Sequence, residues 1–149
     1  MIDEDTAVHK KLGIELFNYT WELLDRPQRS REENDTMIHA AHASRFHWEK
    51  AGGTAVNLAR GEWQVSRVYA VLGRVEAARF HGQRCLEHCQ ENGIGDFDLA
   101  FAYEALARAA SLAGDAAEKA RYLAMAQEAT QQIADQGDRA VVVHDLETI

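Results

Sequence analysis

The chain has 149 residues, 46% of them apolar, and a formal net charge of −8. That length fits one domain and buries roughly 68–70% of the unfolded surface, so neither a metal nor a disulfide is needed for folding. The acidic balance argues against a nucleic-acid backbone binder, which draws on surplus Lys and Arg, and no run approaches the about 18 uninterrupted apolar residues of a membrane span.

The opening MIDEDTAVHKK is acidic, with no apolar run behind a basic start, and does not read as a secretory signal. A first amphipathic segment runs from about Thr6 to Leu24, with Leu12, Leu16, Tyr19 and Leu23 at helical spacing. Asp25-Arg26-Pro27 ends it, and Ser30 with Glu33 reads as a capping box for the next. That second segment carries three of the seven histidines, at His39, His42 and His47, and stops at Gly52-Gly53. Thr54 caps a third segment, Ala55 to Leu72, which ends at Gly73.

A fourth segment runs from about Glu76 to Glu91 and ends at Asn92-Gly93. Asp96 caps a fifth, which ends at Gly114; Asp115 with Glu118 opens a sixth, which reaches about Ala134. Gly137-Asp138 starts a last short segment. Its Val141-Val142-Val143 favours a strand locally, but no partner strand is visible, so a terminal helix is expected. The expectation is an all-α chain of about seven helices whose short loops make neighbours antiparallel.

The chain also repeats itself. EWQVSRVYAVLGRVEAARFHGQRCLE (62–87) and YEALARAASLAGDAAEKARYLAMAQEA (103–129) are each a helix with small residues on one face, a turn glycine, and an Ala-rich second helix. The turn glycines, Gly73 and Gly114, are 41 residues apart. The first of these stretches resembles a tetratricopeptide (TPR) repeat: Trp63, Val65, Ser66, Tyr69, Leu72-Gly73, Ala78, Cys85 and Leu86 fall at its aromatic, apolar, small and turn positions. Gly82 stands where that motif has an aromatic, the terminal Pro is absent, and the spacing exceeds the usual period of about 34 residues. The resemblance implies a short right-handed superhelix of stacked hairpins, about 5–51, 54–92 and 96–134, closed by a helix at about 138–148 in a single domain. The blocks HASRFHW and GEWQVSRVYAVLG also resemble an uncharacterised bacterial family, which implies no activity.

At about 100° per residue, His39 and His42 share a helix face with Ala43 and Phe46, while His47 lies to one side. Two histidines at i, i+3 could donate to one metal, yet a third ligand must come from elsewhere, and the sequence has neither H-E-x-x-H nor E-x-x-H. Ala40, Ala41 and Ser44 beside them read as a close-packing face, with Trp48 at its end. His81, Cys85 and His88 make a second stripe, with Cys89 adjacent; no C-x-x-C supports a zinc site. The repeat assigns Cys85 a small buried position, and two cysteines four apart on one helix are poorly placed for a disulfide. Reduced thiols imply the cytoplasm.

If the resemblance holds, the first helix of each hairpin lines a groove. Arg60, Trp63 and Arg67 point into it, followed by Val71; Phe101, Glu104 and Arg108 match them in the fifth segment, and Glu15, Tyr19 and Glu22 in the first. Arginine forks bind carboxylates and Trp offers a rigid apolar platform, so the expected partner is an acidic peptide, a protein tail or a helix. The alternative is that Trp63 is core and the arginines run to solvent or pair with Glu62 and Glu104. No nucleophile context or phosphate loop appears. The leading expectation is a non-enzymatic binding module with no cofactor. Its rivals are a metal-dependent helical enzyme built on His39, His42 or His47, and a homodimer or larger homo-oligomer of structural role.

Overall fold

A computed structural model describes residues 5–149; Met1–Glu4, part of the acidic opening stretch, lie outside the described residues. Seven helices follow one another: α1 (Thr6–Leu24), α2 (Arg31–Lys50), α3 (Ala55–Val71), α4 (Val75–Glu91), α5 (Asp96–Ala113), α6 (Ala116–Gln131) and α7 (Gln136–Leu146). No strand occurs among the described residues, and no described helix is long and apolar enough to cross a membrane.

The punctuation lies largely where the sequence places it. Ser30 Oγ accepts from the Glu33 N–H at 3.1 Å, and Glu33 returns a bond to the Ser30 N–H. The Asn57 side chain accepts from the Thr54 N–H at 3.1 Å. Gly73 and Gly114 both turn the chain at φ +73°, a left-handed conformation natural to glycine. Arg29 closes α1 by donating to the carbonyls of Leu23 and Leu24 in its last turn.

Two details differ. Gly95, not Asp96, is the N-cap of α5; Asp96 is its first residue, at φ +54°, and its carboxylate accepts from Phe97 N–H and from Ala134 N–H. Asp96 is thus a tether to the α6–α7 connection. The last helix begins earlier than Gly137-Asp138, because Asp135 caps it by accepting from the Asp138 N–H at 2.8 Å. The three valines are helical, and Val142 is fully buried.

Packing follows the hairpins: α1 lies along α2, α3 along α4, and α5 along α6. Across hairpins α3 meets α1 and α5, and α5 meets α7, so the odd-numbered helices form a continuous row. Small residues make the close approaches possible. Ala40, Ala41 and Ser44 of α2 are buried, with Ser44 Oγ donating to the Gly13 carbonyl at 2.7 Å. Gly82 has no room for an aromatic: a methyl there would meet Ala105, Leu106 and the Ser66 hydroxyl at 3.4 Å each. At this residue α4 is wedged between α3 and α5.

Candidate functional site

A cleft of about 650 Å³ opens along the row of odd-numbered helices. Phe17 and Trp21 line it from α1, Arg60 and Trp63 from α3, Phe97 and Phe101 from α5, and Asp138, Val141 and Asp145 from α7; Cys85 of α4 contributes to its lining. Four of the five aromatic rings form a contacting row. Trp63 lies 5.6 Å from Trp21 and 5.0 Å from Phe101, and Phe97 lies 4.7 Å from Phe101, centroid to centroid. The last two contacts are edge-to-face, the arrangement that the ring quadrupole favours.

Beside the cleft is a buried charge cluster centred on Glu104, which is fully buried. Its carboxylate accepts from Trp63 Nε1–H at 3.1 Å, from Arg67 at 3.0 Å and from Arg108 at 2.8 Å. Trp63 and Glu104 stand 41 residues apart, the repeat interval, as do Arg67 and Arg108. Equivalent positions of successive hairpins therefore meet around one anion. The end of α7 completes the cluster. Arg67 also bonds the Asp145 carboxylate at 3.0 Å, and Arg108 donates to the Asp145 carbonyl and the Thr148 hydroxyl at 3.1 and 2.7 Å. The Arg67 guanidinium lies 5.1 Å from the Trp63 ring centroid.

The six residues expected to line a groove are thus gathered, but in two roles. Arg60, Trp63 and Phe101 line the cleft, Trp63 and Phe101 as core side chains only 9% and 6% exposed. Arg67, Glu104 and Arg108 are knitted together beneath its edge and do not line it. For Trp63 and these two arginines, the alternative of a core ring and Glu104 pairing describes the fold. Arg60 is itself held by Asp98, Nε to Oδ1 at 2.8 Å and the second nitrogen to Oδ2 at 3.3 Å. That bond raises its pKa against the effect of burial, and the nearby Asp98 and Asp138 charges act in the same direction. In α1 the register differs from Glu15, Tyr19 and Glu22: Glu15 reaches toward Lys11, Tyr19 is exposed, and Phe17 and Trp21 face inward. The α7 side of the cleft carries no repeat signal, because α7 follows the three hairpins and belongs to none of them. Phe97 had a signal, its i, i+4 spacing to Phe101.

The histidines disperse. His39 is exposed. His42 Nε2 and the Tyr69 hydroxyl share a hydrogen bond of 2.8 Å, and the His42 ring packs 5.3 Å from that of His81. His47 turns the other way, its Nδ1 2.8 Å from Nδ1 of His9. None of the three lines the cleft. Burial holds His42 below its ordinary pKa, with His81 and His39 adding to the effect against Glu62; burial and then His9 do the same for His47.

His81 Nδ1 lies 2.7 Å from Glu62, which Arg45 also bonds at 3.2 Å. Burial alone would raise the Glu62 pKa, but the hydrogen bond and charge of His81, with Arg45, outweigh it and hold the carboxyl below its usual value. Cys85 and Cys89 are free and buried. Among the described residues, no group of three or more His, Cys, Asp or Glu is placed to hold a metal ion. Comparison with family models, with curated proteins and with solved structures gave no match.

Proposed function

We propose that the chain is a non-enzymatic binding module of TPR-like helical hairpins, which holds a segment of a protein or peptide partner in the cleft between α1, α3, α5 and α7. One observation carries this reading: a row of four aromatic rings, Trp21 on Trp63, Trp63 on Phe101 and Phe101 on Phe97, lines a cleft of about 650 Å³. Rigid aromatic surface in a concavity, with a few charged groups beside it, is the composition of an energetic centre for recognition.

The repeat supports the TPR-like description. Its 41-residue interval joins Trp63 to Glu104 and relates Arg67 to Arg108, as expected of hairpins stacked in register. The histidine-based enzyme reading gains no such support, since His42 and His47 each spend a ring nitrogen on a different partner, Tyr69 and His9. Two free, buried cysteines fit a reducing compartment such as the cytoplasm.

Site-specific photo-crosslinking in cells tests the proposal. A photoreactive side chain in place of Val141, on the cleft, is expected to yield a discrete protein or peptide adduct. One in place of Val143, exposed on the α6–α7 face of the same helix, is expected to yield none. Identical adduct patterns from both positions would count against the cleft.

A further inference from the structure

The charge facing the cleft identifies the kind of partner. Free arginines would call for an acidic segment, but Arg67 and Arg108 are committed to Glu104 and the end of α7, and Arg60 is clamped by Asp98. The other charged groups lining the cleft are Asp96, Asp98, Asp138 and Asp145, four carboxylates against the one guanidinium of Arg60. Asp98 and Asp145 each hold an arginine already. Among the described residues Asp96 and Asp138 form no direct ion pair, although the Asp138 charge acts on Arg60, and the Asp96 oxygens accept backbone N–H groups.

The fold shows how a cation is held here. Arg60 lies 5.9 Å from the Phe97 ring centroid while bonded to Asp98, and Arg67 lies 5.1 Å from the Trp63 centroid while bonded to Glu104 and Asp145. Each guanidinium thus combines an aromatic ring with a carboxylate, which attract it together. The same cleft also brings Phe17 and Trp21 of α1 together with Asp138 of α7 in its lining, rings and a carboxylate of the same kinds.

We infer that the segment taken by the cleft is basic, and that a Lys or Arg side chain of the partner lies between the rings of α1 and Asp138 of α7. This rests on the binding-module reading. An acidic segment would face like charges with no free arginine to offset them.

The test uses an array of random octapeptides, acetylated and amidated, balanced in Lys/Arg against Asp/Glu, probed with the full chain. Wild type is compared with Val141→Arg, which sets a tethered guanidinium at the cleft. The control is Val143→Arg, the same charge change on the same helix away from it; both valines are exposed. Wild type is expected to select Lys- or Arg-bearing peptides. Val141→Arg should weaken these at least tenfold and Val143→Arg less than twofold. Asp138→Asn, which adds no bulk, should weaken them about threefold, a margin set by losing one of several nearby charges.

Equal loss in the two arginine variants would mean that basic peptides follow only the net charge of −8, and would overturn the inference. Acidic or uncharged peptides whose binding responds to Val141→Arg but not to Val143→Arg would overturn the inference and leave the binding module standing. No peptide that distinguishes the two variants would overturn both.

Discussion

Glu104 is the group whose removal should be felt most. It is fully buried, and its two oxygens receive one indole N–H and two guanidinium groups. Breaking a buried ion pair by deleting one partner costs about 3–5 kcal/mol, chiefly because a charge is left behind without compensation. In Glu104→Ala the cost lies near the low end of that range. The Arg67 and Arg108 side chains retain 14% and 16% exposure, and each keeps a bond to the end of α7. The orphaned Trp63 N–H adds about 1 kcal/mol. The expected loss is about 4 kcal/mol, or a Tm lowered by about 8–16 °C for a chain of this size. Glu104→Gln, which keeps one acceptor, should lose about 2 kcal/mol.

The triple variant Glu104→Leu, Arg67→Leu, Arg108→Leu should recover much of what Glu104→Leu alone loses, because no unpaired charge remains. Urea denaturation followed by far-UV circular dichroism reads all of these, with the m-value expected to stay constant. A loss under about 1 kcal/mol for Glu104→Ala would refute the reasoning. It would mean that the arginines hold their places without this carboxylate.

Other outcomes follow from local geometry. Gly13→Ala should destabilise by about 1–2 kcal/mol despite better helix propensity, since the added methyl would lie 3.0–3.2 Å from the Trp48 indole, whereas Gly82→Ala, with contacts of 3.4 Å, should be neutral or stabilising by up to about 1 kcal/mol; thermal melts compare them. Ser30→Ala removes the capping-box hydroxyl and should cost about 1 kcal/mol, measured by urea titration. Stability should fall as pH drops below about 6.5, because the imidazole of His42 has a pKa lowered in the fold and takes up a proton more readily when unfolded. The sign is that of a depressed histidine: the unfolded chain binds more protons in the window between the folded pKa and 6.5, so stability rises with pH there. His47 and His88 act in the same direction, and a His42→Asn variant should show a shallower slope in urea titrations from pH 5 to 7.5.

The helices were legible because their ends carry local signals. Ser30 with Glu33, and Gly73 and Gly114 at positive φ, act within a few residues of themselves, and such chemistry is written in order along the chain. Asp96 misled because its carboxylate serves a contact with Ala134, far away in sequence. The site was legible only in part for the same reason. Spacing placed Arg60, Trp63, Arg67, Phe101, Glu104 and Arg108 on corresponding helix faces, and the fold does bring them together. Spacing could not say that Asp145 of α7 and Thr148 just beyond it return to occupy Arg67 and Arg108. Nor could it reveal that the remaining cleft would be left aromatic and acidic. The histidines show the opposite case: they are adjacent in sequence, but His42 faces Tyr69 and His47 faces His9.

The central claim is that the odd-numbered helices form the binding face. Nitrogen-15 NMR of the full chain, titrated with a basic peptide selected on the array, tests it most directly. The account predicts that the indole N–H signals of Trp21 and Trp63 move, with the amides of Phe97 to Phe101 and Asp138 to Asp145. Shifts confined to α2, α4 and α6, with both indole signals unmoved, would contradict it.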